Sequence, residues 1–212
     1  MAIKDIYQAV LDFEDEEVAE LVQAELDAGT PVETILNDGL VAALDTVGAR
    51  FSEGTIFVPE MLLAADAMKE GMNILRPVLA ETGSKPVGRV VLGTVKGDLH
   101  DIGKNLVGMM LEGAGFHVVD IGIDVAAETF VSSAQENEAD IVAMSGLLTT
   151  AMPEMEKAVS AVATANQTRN LNVRIMIGGP PVNQAFAEKV GAHGYGMDAP
   201  AAVALARDLI SH

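Results

Sequence analysis

The segment Gly97-Asp98-Leu99-His100-Asp101-Ile102-Gly103 places one imidazole between two carboxylates, with a glycine at each end. Imidazole is the commonest protein metal ligand, and a metal-bound ring usually gives its other N–H to a carboxylate or carbonyl. Asp98, two residues before His100, is a candidate for that partner, and the flanking glycines let backbone approach a bulky ligand. A solvated loop histidine beside helix-capping aspartates has the same local composition, so Asp-x-His alone does not decide between the two. Phosphate binding is disfavoured by spacing. A Walker loop needs four residues between Gly and Gly-Lys-Ser/Thr, whereas five separate Gly97 from Gly103-Lys104 and Asn105 replaces the hydroxyl residue. Gly93, Gly97 and Gly103 do not fit the dinucleotide pattern Gly-x-Gly-x-x-Gly either.

The loop needs a strand before it and a helix after it. Arg89 to Val95 reads as a buried strand, and Lys104 to Glu112 carries apolar residues at helical spacing. Apolar β-type runs recur at 116–121, 139–145, 173–177 and 192–196, alternating with helical stretches at 103–114, 126–137, 151–168, 182–190 and 199–210. That alternation predicts an α/β domain with a doubly wound, Rossmann- or flavodoxin-like, five-stranded parallel sheet. The loops at Gly97, Gly122, Gly146 and Gly178-Gly179 would then meet at one carboxyl edge, where open α/β sheets bind ligands.

Before Gly83 the pattern is helical throughout. Ile6, Ala9, Val10 and Phe13, then Val18, Leu21, Val22 and Leu26, predict two short helices, the second capped by Asp15 and ended by Gly29. Thr30 as N-cap and Pro31 at the first position open a third, running to Phe51. A fourth spans Val58 to Leu79, and together they make an N-terminal four-helix bundle. The domains are therefore expected at 1–83 and 84–212, joined by a mobile linker near 81–87. Charge divides the same way: residues 1–83 hold 17 acidic and 4 basic side chains, residues 84–212 hold 14 and 9.

The net charge of −18 disfavours nucleic acid and anionic membranes as partners, since both require clustered Lys and Arg. With no cysteine, disulfides, thiolate zinc sites, iron–sulfur clusters and thiol catalysis are excluded. The opening Met1-Ala2-Ile3-Lys4-Asp5 does not resemble a signal peptide, and no apolar run is long enough to cross a bilayer, so a cytoplasmic location is expected. His117, His193 and His212 have no carboxylate at ligand-like spacing and read as structural or solvated. No nucleophile-and-base constellation is found, so no catalytic residue is assigned.

Three segments in order, Asp98-Leu99-His100-Asp101-Ile102-Gly103, Ser145-Gly146-Leu147 and Gly178-Gly179, resemble the Asp-x-His-x-x-Gly, Ser-x-Leu and Gly-Gly signatures of cobalamin-binding domains. With the helical N-terminal part, the resemblance covers nearly the whole chain. It is closest to the corrinoid proteins of methyltransferase systems that use methanol, methylamines or methoxylated compounds, and to the cap and cobalamin modules of cobalamin-dependent methionine synthase. The resemblance implies a cobalamin or related corrinoid cofactor, with His100 as lower axial ligand of cobalt and Asp98 supporting its imidazole. Ser145, Leu147 and Thr149 would line the channel for the displaced nucleotide tail. Gly178 and Gly179 would leave room for that tail, and Tyr195 to Asp198 would approach its far end. The helical domain would shield the upper face, with Phe57, Met61, Leu62 and Met68 as candidate lid residues. One departure stands at Ala151, where the methionine synthase modules carry a serine that extends the hydrogen-bond chain beyond the aspartate. Here any relay is expected to end at Asp98, at Thr149 or Thr150, or at water.

By resemblance the protein is a corrinoid methyl carrier, alternating between Co(I) and methyl-Co(III). Its partners would be a substrate-specific methyltransferase, a second methyltransferase acting on a thiol or tetrahydropterin acceptor, and a reductive activator. The alternatives are a cobalamin-binding subunit of an adenosylcobalamin mutase, whose barrel would have to be a separate chain, a cobalamin-sensing regulatory module, or a flavodoxin-like binder of another cofactor.

Overall fold

The structure is a computed structural model that describes residues 2–81, 86–169 and 171–211. It divides into two compact units, Met1–Pro86 with Glu112–Gly115, and Val87–Leu111 with Phe116–His212. The expected linker falls largely on residues 82–85, which lie outside the described residues.

The first unit is helical. It contains α1 (Ala2–Leu11), α2 (Asp15–Asp27), α3 (Val32–Thr34), a π segment (Ile35–Val41), α4 (Ala42–Ser52) and α5 (Val58–Glu81). Of the residues predicted to face inward from the first two helices, Ile6, Ala9, Val10, Val18 and Val22 are buried, while Phe13, Leu21 and Leu26 are half-buried. The stretch 32–52 is one continuous helix, as predicted, but its middle is wound as π. Two caps differ from expectation. Thr30 gives its hydroxyl to the Glu25 carboxylate, and Pro31 takes the N-cap position before Val32. Asp15 is the first residue of α2 rather than its N-cap, its carboxylate accepting the Glu16 N–H at 2.8 Å, and Glu14 stands before it.

The second unit alternates strictly: β1 (Arg89–Thr94), α6 (Ile102–Gly113), β2 (His117–Asp120), α7 (Ala127–Glu136), β3 (Ile141–Ser145), α8 (Met152–Arg169), β4 (Arg174–Gly178), α9 (Gln184–Val190), β5 (Gly194–Gly196) and α10 (Ala199–Ile210). A short 3-10 turn, Thr149–Ala151, precedes α8. The five strands are parallel in the order β2-β1-β3-β4-β5. Sheets covered on both faces read as continuous apolar runs, as the buried strands β1, β3 and β4 do. The strand order reverses between β1 and β3, which makes their carboxyl ends the switch point at which such sheets bind ligands. The register aligns Thr94, Ser145, Gly178 and Gly196 in one row across that edge. Among the described residues no helix is long and apolar enough to cross a membrane.

The short edge strand β5 is seated by His193. Its backbone N–H donates to the Ile175 carbonyl at 2.7 Å, and its Nδ1 accepts the Ile175 N–H at 2.9 Å. Partial burial, with repulsion from Arg174, pushes the ring below its ordinary pKa of 6.5. A ring held neutral in the folded state binds its proton first in the unfolded chain. Its contribution is therefore complete above pH 6.5 and is lost as pH falls below it. The thermal midpoint should drop between pH 7 and about pH 5.5. His193→Gln, which keeps an acceptor but cannot titrate, should flatten that drop; an unchanged slope would exclude His193 as its source.

Candidate cofactor site at the carboxyl edge of the sheet

The centre of the site is Asp98, which has no exposed surface. Oδ1 accepts the His100 backbone N–H at 3.1 Å and lies 2.6 Å from His100 Nδ1; Oδ2 accepts the N–H groups of Leu147 at 2.6 Å and Leu148 at 3.0 Å. Burial alone would push this carboxyl up, but the His100 ring together with the N–H groups of His100, Leu147 and Leu148 outweighs it and lowers the pKa from 3.8 to about 2. Asp98 is thus an anion that joins the loop after β1 to the loop after β3.

That anion selects the tautomer of His100. A carboxylate facing Nδ1 requires a proton there, so in the neutral ring it is Nε2 that carries the lone pair. Nε2 has no hydrogen-bond partner among the described residues, and the side chain is 53% exposed. The backbone is held as well, because buried Thr94 donates its hydroxyl to the His100 carbonyl at 2.9 Å. The imidazole is therefore held in one tautomer, with a free nitrogen directed away from its carboxylate partner.

The surroundings suit a large, partly apolar ligand. Six large apolar residues are exposed between the strand ends and the helices that follow: Leu99 (67%), Ile102 (73%) at the start of α6, Ile123 (41%), Leu147 (40%), Leu148 (40%) and Met197 (73%). Exposed apolar surface gathered at one edge of a sheet marks a binding site. Gly103, in the first turn of α6, would place an added Cβ in open space, so nothing in the fold itself demands a glycine there. Asp101 lies in the same loop, and its carboxylate accepts from Asn105 Nδ2 at 3.3 Å.

Gly178 and Gly179 require a correction. A Cβ at Gly179, where φ is +123°, would lie 1.9 Å from the Gly146 carbonyl oxygen, and one at Gly178 would lie 3.0 Å from the Gly196 carbonyl oxygen. At Gly179 the neighbouring loop itself forbids a side chain, and at Gly178 a side chain would press on the next strand. Ser145 ends β3 in the same row. Thr149 is exposed in the 3-10 turn, with no side-chain hydrogen bond among the described residues. Tyr195 packs its half-buried ring on the sheet core, and the Asp198 carboxylate caps α10 through the Ala201 N–H at 2.8 Å. Neither Thr149 nor Thr150 continues the chain from Asp98, and Ala151 is buried; two backbone amides take that place. In the helical unit Met61 and Met68 are fully buried and belong to its core rather than to a lid. The large apolar residues exposed there, among the described residues, are Phe57, Val58 and Leu63, with Leu62 half-buried.

Several contributors escape a reading by motif. Thr94 had one signal, a hydroxyl ending an apolar strand. Leu148 acts through its backbone, which no side chain reports. Lys104 is buried, paired to Asp120 and donating to Asn105 Oδ1 at 2.7 Å.

A parallel sheet whose switch-point loops present a carboxylate-held imidazole and an apolar rim defines a cofactor-binding α/β protein. Residues 88–204 match a family described as B12 binding domain, and residues 2–76 match a second family with the same description. The chain is 38% identical over 211 residues to a corrinoid protein of Desulfitobacterium hafniense, covering 98% of this chain and 97% of that one. Identity is also 38% over 208 residues to dimethylamine corrinoid protein 3 of Methanosarcina acetivorans, covering 98% and 96%. Among solved structures, a cobalamin-binding protein of Desulfitobacterium hafniense superposes with a TM-score of 0.81 at 31% identity, covering 98% of both chains. A chain of the methanol:cobalamin methyltransferase complex of Methanosarcina barkeri gives 0.82 at 32% identity, covering 99% of this chain and 80% of that one. The chain belongs to the B12-binding family of corrinoid proteins.

Asp98→Asn tests the joint between the loops. An amide replaces one acceptor oxygen with a donor and sets it against an N–H, which should cost about 3 kcal/mol in chemical denaturation. Wild-type stability from this group should hold above pH 3.8 and fall toward about pH 2. A variant as stable as wild type would show that the joint is dispensable.

Proposed function

We propose that the protein is a corrinoid methyl carrier, taking a methyl group from a substrate-specific methyltransferase and yielding it to a second methyltransferase that acts on a thiol or tetrahydropterin. The observation that carries this reading is the His100–Asp98 pair, whose geometry leaves one imidazole nitrogen free at a ligand-binding sheet edge. End-to-end similarity to methylamine corrinoid proteins and to the methanol complex supports it. A bound corrinoid would supply the cobalt centre that gains and loses the methyl group. His100 would be the lower axial ligand, with its proton held on Nδ1 by Asp98, so that Nε2 offers a neutral lone pair. Leu99, Asp101, Ile102, Gly103 and Leu147 would meet the macrocycle and its substituents. Ser145, Thr149, Gly178, Gly179, Tyr195 and Asp198 would form the loops along the nucleotide tail, the last four by setting the course of the backbone.

In this reading residues 84–212 are the cobalamin-binding domain and residues 1–83 the cap, which keeps solvent from a strongly reducing centre. A reductive activator completes the set of partners, and the location is cytoplasmic. The mutase and sensor alternatives lack support, since the relatives matched over their full length are corrinoid proteins.

Refolding the full chain with hydroxocobalamin should give a protein that retains corrinoid absorbance through gel filtration. His100→Ala should change that spectrum and weaken binding about 10- to 100-fold. No retained corrinoid, or a spectrum indifferent to His100→Ala, overturns the reading.

A further inference from the structure

We propose that Asp124, in the loop between β2 and α7, is a positioning residue for the histidine loop; the inference rests on the reading of His100 as axial ligand. Asp124 adopts φ +54°, a left-handed conformation that few residues other than glycine enter readily, aspartate being one of them. From there its backbone N–H donates to the Asp98 carbonyl at 3.1 Å, and its Oδ1 accepts the Gly97 N–H at 2.7 Å. One residue thereby holds the backbone of the two positions at which the chain turns toward His100. Gly97 is itself left-handed at φ +83°, so this turn has little intrinsic preference for its own shape and depends on an outside restraint.

The loop that carries Asp124 is anchored on both sides. Thr94 donates its N–H to the Gly122 carbonyl at 2.9 Å, and Val125 donates its own to the Thr94 carbonyl at 3.0 Å. Asp120 accepts the Gly122 N–H at 2.9 Å and pairs with the buried ammonium of Lys104 in α6. Asp124 therefore stands on a support fixed to the sheet and to α6, and its two bonds extend that fixity to Gly97 and Asp98. The Asp98–His100 bonds set the orientation of the ring within the loop, and the Asp124 bonds set the position of the loop itself. Ligand groups held before binding lose less freedom on binding, so loosening this clasp should lower corrinoid affinity without removing any ligand.

Two variants separate backbone from side chain. Asp124→Gly keeps the left-handed conformation and deletes the acceptor, whereas Asp124→Asn keeps both an acceptor oxygen and a residue tolerant of that conformation. In the full-length apoprotein, Asp124→Gly should accelerate hydrogen exchange at the Gly97 amide while Asp124→Asn leaves it near wild type. With hydroxocobalamin, Asp124→Gly should bind about tenfold more weakly. Its spectrum should move part of the way toward that of His100→Ala, and Asp124→Asn should restore both affinity and spectrum. An Asp124→Gly protein with unchanged Gly97 exchange and affinity overturns the proposal. If His100→Ala changes the spectrum but Asp124→Gly does not, the clasp fails and the axial-ligand reading stands. If His100→Ala itself changes nothing, the ligand reading fails, and with it any role for Asp124 in ligation. Should Asp124→Gly not fold, a wild-type Gly97 amide that exchanges as fast as a free loop amide overturns the clasp by itself.

Discussion

A buried carboxylate with four hydrogen-bond donors around it organises the functional edge of this protein. Removing a charge from water is costly unless its lone pairs are filled, and Asp98 is filled by the His100 ring, the His100 N–H and two amides of the next loop. Each of these bonds favours the anion, and the anion in turn dictates which imidazole nitrogen carries the proton. A bond between loops, a protonation state and a ligand orientation thus follow from one side chain. The switch-point topology supplies the place for it, since only where the strand order reverses do the loops after β1 and β3 part to make a crevice.

The two glycine positions of the site illustrate different causes for the same residue type. At Gly179 the constraint is internal, because the Gly146 carbonyl occupies the space a side chain would need. At Gly103 no such constraint exists, because an added Cβ would meet open space. A motif records both as glycine. The packing around each separates a glycine that lets the protein fold on itself from one that faces open space.

Much of the architecture was legible in the sequence for a physical reason: buried parallel strands are unbroken apolar runs, and the helices that cover them carry one apolar face. The sequence also contained the Asp98–His100 pair, because it is local, two residues apart along the chain. What escaped were features set by contacts distant in sequence. The amides of Leu147 and Leu148 have no residue-specific signature, and Asp124 gains its meaning from Gly97, 27 positions away. The π winding of Ile35–Val41 has no residue-type signature such as proline in it. Thr30 had two possible partners, the helix after it and Glu25 before it, and propensity favoured the wrong one.

That the carboxylate is held from the β3 side by backbone rather than by side chains separates two duties within one loop. The amides of Leu147 and Leu148 anchor, while their side chains, both substantially exposed, are left to face whatever occupies the edge. Substitutions at these positions can reshape the binding surface without touching the anchor, provided the backbone keeps its course. The fold thereby permits its ligand preference to change while the imidazole keeps its orientation.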